Sequence, residues 1–209
     1  MERYVALIAD LKPQRIFELG ILQGGNTLFF AELARPRRIA AIDRLPLESF
    51  KRKLQGYVGS AGLADVVRLY GEVDQADRLR LAGIVDEAFG GAALDLVVDD
   101  CSHLYEPTRA SFNELFPRFR PDGAYVIEDW RWAHVGPEYP QGLFPGEVPL
   151  TRLVFEVVLA LPCVPGLIAE ISVGPEAVVI RRGDARIDPS TFDVSTSPDS
   201  SGRALLPPA

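Results

Sequence analysis

The sequence predicts an α/β fold with a doubly wound, mostly parallel sheet of seven strands that ends in an antiparallel hairpin. Short apolar runs alternate with amphipathic segments over most of the chain. The runs are apolar on both faces, as in strands that helices cover from both sides. The last two runs, 167–173 and 177–182, are separated only by Gly-Pro-Glu, which is too short to connect parallel strands.

Strands and helices alternate from the N-terminus to Trp130. Each strand is an apolar run bounded by glycine, proline or polar residues, and the segments between runs repeat their apolar residues at helical spacing. The predicted strands are 15–19, 38–43, 66–73, 94–100 and 124–130. The first predicted helix ends near Leu11, and the second covers 27–34. The third carries Phe50, Leu54 and Tyr57 on one side, and the last two cover 76–89 and 107–119. Pro-Asp-Gly at 121–123 is predicted to turn the chain into the fifth strand.

Length and charge limit the classes of function. The chain of 209 residues suffices for one domain with a sizeable core. A formal net charge of −7 disfavours a nucleic-acid surface, which needs clustered Lys and Arg, and favours a small-molecule partner. The N-terminal segment does not resemble a signal peptide, and no run reaches the about 18 apolar residues of a membrane span. We therefore expect a cytoplasmic protein that binds neither nucleic acid nor a membrane.

The predicted domain covers residues 1–183. Residues 184–209 are rich in Ser, Asp and Pro and have few apolar residues, a composition typical of a flexible tail. Cys101 and Cys163, the two cysteines, lie far apart and form neither a disulfide framework nor a metal-binding or redox CxxC motif. A reducing compartment fits this cysteine usage.

A glycine-rich turn follows strand one, at the edge of the sheet where open α/β folds bind ligands. Gly20, Gly24 and Gly25 allow a tight turn and close backbone approach before the next helix. Dinucleotide enzymes have a glycine at the position of Leu22, so this spacing disfavours NAD. Asp43 ends strand two, where an acid accepts hydrogen bonds from ribose hydroxyls. Together these residues predict a nucleoside-bearing cofactor, rather than a plain chain turn with a helix cap.

The polar segment after strand three forms a third part of the same edge. Asp74 and Gln75 lie there and are candidates to face an adenine ring, although a solvated loop explains them equally well.

Acidic residues end strands four and five. Asp99 and Asp100 follow one strand, Glu128 and Asp129 the other, and neighbouring strands lie about 4.8 Å apart. Carboxylates gathered in this way raise one another's pKa unless a cation lies among them. Oxygen ligands favour a hard divalent ion, with magnesium as the default and calcium or manganese as alternatives. Both members of a pair can bind the ion only where the strand ends and turns.

His103 lies three residues beyond Asp100. Histidine is the side chain best suited to accept a proton at neutral pH, so His103 is the candidate general base. The alternative is that it caps the following helix. His134 lies in a loop without a neighbouring acid pair and is less informative.

Four segments carry a resemblance to a known family: FELGILQGGNTLFFAEL, AAIDR, DLVVDDCSH and SFNELFPRFRPDGAYVIEDW. Over about residues 13–132 the chain resembles class I S-adenosylmethionine-dependent methyltransferases, which have a Rossmann-like fold. It is most similar to the magnesium-dependent sugar O-methyltransferases of macrolide antibiotic pathways, the mycinamicin and macrocin O-methyltransferases. The Asp-Asp-x-Ser-His and Val-Ile-Glu-Asp motifs are more specific than the glycine turn.

The resemblance implies roles for individual residues. The glycine turn would hold the methionine part of S-adenosylmethionine, and the acid after strand two would hold its ribose. Magnesium would bind to the second acid of the first motif and to both acids of the second, and the histidine would be the base. Asp99 would support the site or lie on the cofactor side. The implied cofactor residues are Glu18, Gly20, Gly24 and Asp43, the metal ligands Asp100, Glu128 and Asp129, and the base His103.

The resemblance also implies the reaction, methyl transfer to a hydroxyl of a small molecule, with a sugar of a glycosylated natural product as the expected acceptor. Cys101 departs from the glycine that is common in the family. The long segment 130–150 carries Trp130, Trp132 and Tyr139 as a candidate acceptor lid. The alternatives are a methyltransferase-like protein that binds cofactor without turnover and a nicotinamide-dependent oxidoreductase. The sequence leaves open whether the protein forms a homo-oligomer.

Overall fold

The computed structural model describes residues 2–134 and 147–196. Seven strands form one sheet in the order β3-β2-β1-β4-β5-β7-β6. Strands β1 to β5 pair in parallel, and β7 is antiparallel to both of its neighbours. The predicted fold class, including the C-terminal antiparallel hairpin, is therefore confirmed.

The described elements follow the predicted alternation. The strands are Arg15–Leu19 (β1), Arg38–Ile42 (β2), Val67–Tyr70 (β3), Leu94–Asp99 (β4), Phe119–Glu128 (β5), Ile168–Val173 (β6) and Ala177–Arg182 (β7). The α-helices are Glu2–Leu11 (α1), Gly25–Ala34 (α2), Leu47–Ser60 (α3), Arg78–Phe89 (α4), Tyr105–Leu115 (α5) and Thr151–Cys163 (α6). Among the described helices, none has the length and apolar character needed to cross a membrane.

Alternation along the central strands divides the core into two layers. Phe17 and Leu19 of β1 lie in the layer formed with α4, α5 and α6, whereas Ile16 of the same strand lies in the layer with α1, α2 and α3. All three are fully buried. Burying such a side chain contributes about 1.5 to 3 kcal/mol, so both faces of the sheet are stabilised by helices.

Strand order reverses at β1, because β2 lies on one side of it and β4 on the other. The backbone amide of Gly20 donates to Ile42, and that of Asp100 donates to Leu19, so the carboxyl ends of these strands are joined. Gly20 has φ 97°, and a Cβ there would collide with the carbonyl oxygen of Asp100. Only glycine fits this close approach.

Strand β5 begins earlier than predicted. Pro-Asp-Gly at 121–123 lies inside the strand and not in a turn before it. Asp122 has φ 63°, and the pairing with β4 shifts register between Leu94 and Leu96. The turn-forming residues therefore form an irregularity in a paired strand.

Helix α6 was not among the predicted elements. Phe155, Val158 and Leu161 are substantially exposed on it, while Leu153 and Val157 are buried. Apolar residues therefore lie on both the buried and the exposed side of this helix.

The core extends beyond residue 183, the predicted end of the domain. Phe192 is 9% exposed and Val194 is fully buried. The Asp193 carboxylate accepts hydrogen bonds from Arg109 and Asn113 of α5. The start of the predicted tail thus packs against the domain, and residues 197–209 lie outside the described residues.

Candidate active site

Asp43 fixes the glycine turn after β1. One carboxylate oxygen accepts hydrogen bonds from the backbone amides of Ile21 (3.0 Å) and Leu22 (2.9 Å), and the other from that of Leu45 (2.9 Å). Leu22 occupies the position where dinucleotide enzymes have glycine, and it adopts φ 48° with its side chain exposed. The hydrogen bond to Asp43 helps to hold this unfavourable conformation.

Helix α2 begins directly after this turn. Gly24 has φ 78°, and a Cβ there would lie 2.7 Å from Leu54. No side chain caps the first turn of the helix. The backbone amides at this end are therefore available to an anionic group of a ligand.

Glu18 is buried below the turn. Its Oε2 accepts a hydrogen bond of 2.5 Å from the Thr27 hydroxyl, whereas Oε1 is buried and has no partner within the described residues. Burial raises the pKa of Glu18 to about 8, against the opposing effect of the Thr27 hydrogen bond. A buried acceptor without a partner is costly in a protein interior, and it fits a site for a positively charged donor.

Asp74 lies on the exposed loop after β3, as predicted. One of its oxygens accepts a hydrogen bond from the amide of Ala76 at 2.8 Å, which folds the loop into a tight turn. It remains a candidate for the adenine side of the site.

Gln75 points inward and not toward a ligand. Its amide nitrogen donates to both oxygens of Asp99 at 2.7 Å and to Ser111 at 3.1 Å, and its carbonyl accepts from the Ser102 hydroxyl at 2.6 Å. The amide is thus not free to contact an adenine, contrary to the prediction. Gln75 instead ties the loop after β3 to the loop that carries His103.

Asp99 belongs to the same buried network. It is 2% exposed and also accepts hydrogen bonds from Tyr125 (2.6 Å) and Ser111 (3.1 Å). Burial raises the pKa of Asp99 to about 6, and the hydrogen bonds oppose that shift. Asp99 therefore lies inside this buried network, and its role, supporting or on the cofactor side, stays a prediction.

Asp100, His103 and Asp129 come together beyond the ends of β4 and β5. Each offers one ligand atom, and these atoms lie within 4.8 Å of one another. Burial, followed by the charges of Glu128, Asp129 and Asp99, raises the pKa of Asp100 to about 7. The cost of concentrating negative charge here is what a bound cation would relieve.

Strand β5 ends at Glu128, and Asp129 has φ 51°. The strand therefore ends and turns between the two acids, as simultaneous use of both requires. Glu128 lies beside the cluster and accepts a hydrogen bond from the Tyr4 hydroxyl. Burial raises the pKa of Glu128, and the Tyr4 hydrogen bond opposes this shift.

His103 is held in place on several sides. Its ring centroid lies 4.3 Å from that of Trp132, and it forms a hydrogen bond with the backbone carbonyl of Glu128. Its Nε2 lies 3.9 Å from Asp100 Oδ1. Burial lowers the pKa of His103, which favours the neutral ring that accepts protons. His103 does not cap α5, since Leu104 is the N-cap residue and no side chain caps it.

The candidate acceptor lid is only partly described. Trp132 packs against His103 with the two ring planes tilted by 35°, but the indole of Trp130 donates to the Gly174 carbonyl at 2.9 Å. Tyr139 lies outside the described residues. His134 Nε2 lies 2.8 Å from the Thr151 hydroxyl, and His134 is not a member of the cluster of Asp100, His103 and Asp129.

Cys101 is half-buried between Asp100 and Ser102. Burial and the surrounding carboxylates raise the pKa of its thiol, so the thiol stays protonated and is a poor nucleophile. Tyr4 belongs to no recognisable motif, so its contact with Glu128 is not predictable from the sequence. Trp132 is a lid candidate in the sequence, but its contact with His103 is not predictable either.

A family model described as a methyltransferase domain matches residues 17–130. The match includes the glycine turn, both acidic strand ends and His103. The chain belongs to this methyltransferase family. The resemblance drawn from the sequence motifs is thereby confirmed.

The chain is similar to curated O-methyltransferases over short segments. Demethylmacrocin O-methyltransferase from Streptomyces fradiae is 48% identical over 59 residues, which are 28% of this chain and 15% of that protein. Mycinamicin VI 2''-O-methyltransferase from Micromonospora griseorubida is 44% identical over 59 residues, 28% of this chain and 14% of the relative. A tetracenomycin rhamnosyl 3'-O-methyltransferase from Streptomyces olivaceus is 32% identical over 135 residues, 61% of this chain and 30% of the relative. The chain thus matches less than a third of each relative's length.

Solved structures with the same fold include two methyltransferases. MycE from the mycinamycin pathway, in complex with Mg, SAH and mycinamycin VI, has a TM-score of 0.62 at 24% identity, over 88% of this chain and 49% of MycE. TomG from Streptomyces achromogenes, in complex with SAM, has a TM-score of 0.60 at 17% identity, over 88% of this chain and 80% of TomG. At these identities the likeness establishes the fold.

Proposed function

We propose that this methyltransferase domain transfers a methyl group from S-adenosylmethionine to a hydroxyl of a small molecule, assisted by a divalent metal ion. The observation that carries the proposal is the meeting of Asp100, Asp129 and His103 within 4.8 Å at the ligand-binding edge of the sheet. A sugar of a glycosylated natural product is the proposed acceptor class, because two relatives similar to this chain are named as O-methyltransferases of rhamnosyl tetracenomycins.

The residues after β1 and β2 fit the cofactor. S-adenosylmethionine, when bound, supplies an electrophilic methyl group on a sulfonium. The unpartnered oxygen of Glu18 suits its amino group, and the uncapped amides beyond Gly24 suit its carboxylate. Asp43 is the proposed ribose residue, since its carboxylate lies at the end of β2 with lone pairs beyond those its backbone bonds use. Asp74 is proposed for the adenine side.

The carboxylates of Asp100, Glu128 and Asp129 form an acidic edge of the sheet, and this acidic edge fits a hard divalent ion. Asp100, Glu128 and Asp129 are the proposed ligands, and magnesium is the proposed ion. Magnesium, when bound, supplies positive charge that lowers the pKa of an acceptor hydroxyl. The raised pKa of Asp100 supports this assignment, because burial and the charges of Glu128, Asp129 and Asp99 all act in the same direction on it. Burial also raises the pKa of Glu128, although the Tyr4 hydrogen bond and the charge of Arg3 oppose that shift.

His103 is the proposed general base. Its buried, neutral ring accepts the proton from the acceptor hydroxyl as the oxygen attacks the methyl carbon. Trp132 and the Glu128 carbonyl restrict the ring to one orientation, which reduces the entropy lost in reaching the reactive geometry.

Calorimetry tests the cofactor assignment directly. We expect binding of S-adenosylmethionine and no binding of NADH. In a separate turnover assay, we expect release of S-adenosylhomocysteine when a panel of glycosylated macrolides and rhamnosylated polyketides is added with magnesium. Binding of NADH without a response to S-adenosylmethionine would contradict the proposal. Cofactor binding without turnover on any hydroxyl acceptor would favour a binding protein instead.

A further inference from the structure

Helix α1 reaches the acidic edge through Tyr4. The Tyr4 hydroxyl donates to Glu128 Oε1 across 124 residues of sequence. The ring is held from the other side by α2, where it makes edge contacts with Phe30 (5.1 Å between centroids, 70°) and Phe29 (6.4 Å, 71°). Aromatic edge contacts of this kind each add about 0.5 to 1.5 kcal/mol, so the hydroxyl is presented to Glu128 by a fixed ring.

Arg3 anchors the same turn of α1 to the neighbouring strand. Its guanidinium donates to the carbonyl of Ala177 at 2.8 Å, and Ala177 is the residue of β7 that pairs with Glu128. The guanidinium also lies against Gly174, where a Cβ would collide with it. Two consecutive residues of α1 therefore hold a pair of residues, one at the end of β5 and one at the start of β7.

The Tyr4 hydrogen bond leaves half of the Glu128 carboxylate available. Oε1 accepts from Tyr4, and among the described residues no hydrogen bond to Oε2 is found. The charge of Arg3 also acts on the carboxylate and lowers its pKa, against the effect of burial. Glu128 is also close enough to Asp100 for its charge to act on that group. One oxygen is thus held by the fold while the other remains for a ligand at the acidic edge.

We propose that Tyr4 is a positioning residue of the metal site, holding the Glu128 carboxylate in the orientation that presents its second oxygen to the cation. The proposal rests on the proposed function, because it requires Glu128 to be a metal ligand. Groups that hydrogen-bond a ligating carboxylate fix its direction, and their loss typically costs 10- to 100-fold in metal affinity. Helix α1 then completes a site whose ligands all lie at or just beyond the ends of β4 and β5.

The test is a calorimetric titration of the full chain with Mn²⁺, paired with a titration with S-adenosylmethionine. Tyr4→Phe removes the hydroxyl and keeps the ring contacts. We expect it to weaken Mn²⁺ binding by about tenfold while leaving the affinity for S-adenosylmethionine and the Tm at wild-type values. Tyr70→Phe is the matched control, because it removes another tyrosine–carboxylate hydrogen bond, the exposed contact with Glu87 at 3.1 Å. This control should bind Mn²⁺ as the wild type does.

Glu128→Gln separates the two levels of the proposal. If Glu128→Gln weakens Mn²⁺ binding and Tyr4→Phe does not, the role of Tyr4 is overturned while the metal assignment stands. If the wild type does not bind Mn²⁺, or Glu128→Gln binds it unchanged, the metal assignment is overturned and the role of Tyr4 with it. Parallel losses of Mn²⁺ affinity, cofactor affinity and Tm in Tyr4→Phe would mean that Tyr4 only supports the fold.

Discussion

Individual residues at the site hold protons in ways that their sequence position alone does not reveal. Glu18 and His103 are both shifted by burial toward the neutral form, which raises the pKa of the acid and lowers that of the base. Burial disfavours whichever form is charged. The same physical cause therefore leaves Glu18 protonated and His103 able to accept a proton near neutral pH.

Turnover tests the role of His103. We expect His103→Ala to lower the rate of S-adenosylhomocysteine release by about 10²- to 10⁴-fold, the usual contribution of a general base. Cofactor affinity should not change, because His103 lies at the acidic edge and not at the glycine turn. His134→Ala is the control, since His134 is exposed and contacts Thr151. Equal rates for His103→Ala and the wild type would remove the base assignment.

The ionisation of Glu18 predicts a pH dependence of stability. The pKa of Glu18 in the folded protein, about 8, exceeds its ordinary value. The contribution of Glu18 to the stability of the fold is therefore complete below about pH 4 and is lost as the pH rises through 8. We expect Glu18→Gln to remove this loss. Urea unfolding without cofactor should show the wild type losing on the order of 3 kcal/mol relative to Glu18→Gln between pH 5 and pH 9. Parallel stability curves for the two proteins would contradict the assignment.

The ends of β1, β2 and β4 bring the site together at the level of secondary structure. Backbone hydrogen bonds join these ends, and Asp43 connects the glycine turn to β2. Gln75 adds a link from the loop after β3 to Ser102 beside the base. The cofactor side and the catalytic side are therefore parts of one hydrogen-bonded edge.

A glycine substitution tests this edge. Gly20→Ala places a methyl group against the Asp100 carbonyl at a position with φ 97°. Overpacking costs about 1 to 3 kcal/mol, so we expect a clearly lower free energy of unfolding in urea, with weakened Mn²⁺ binding as Asp100 moves. Gly83→Ala in α4 is the control, because nothing lies within 4 Å of its Cβ, and it should stabilise by about 0.5 to 1 kcal/mol. A neutral Gly20→Ala would show that the two strand ends can separate freely.

Across the whole molecule, local sequence patterns predict the strands and most helices. They do not predict contacts between residues that are distant in the sequence. The seven strands, their class of sheet and the meeting of Asp100 with Asp129 follow from apolar runs and strand ends. The contact of Tyr4 with Glu128 depends on how α1 packs, and the amphipathic pattern of α1 does not specify it. The inward direction of the Gln75 side chain is not predictable for a similar reason, since loop composition does not show which way an amide points.

The packed start of the predicted tail supplies a prediction at this scale. Phe192 contacts Phe112 and Phe116 of the core with centroid distances of 6.4 and 6.2 Å. We expect Phe192→Ala to lower the free energy of unfolding by about 3 to 5 kcal/mol, the range for buried aromatic side chains. Phe155→Ala is the matched control, because Phe155 is 57% exposed on α6. Similar urea midpoints for both variants would place the true end of the core before Phe192.

Glu128 contributes to the site through both of its parts. Its backbone carbonyl hydrogen-bonds the His103 ring, and its carboxylate, held by Tyr4, is the proposed metal ligand. Glu128, a single residue at the end of β5, would thus contact both the proposed base and the proposed cation. A sugar offers several hydroxyls of nearly equal reactivity, and only one at a time can reach both groups. The position of this strand end would therefore determine which hydroxyl of the proposed sugar acceptor is methylated. The surrounding loops would determine which sugar binds.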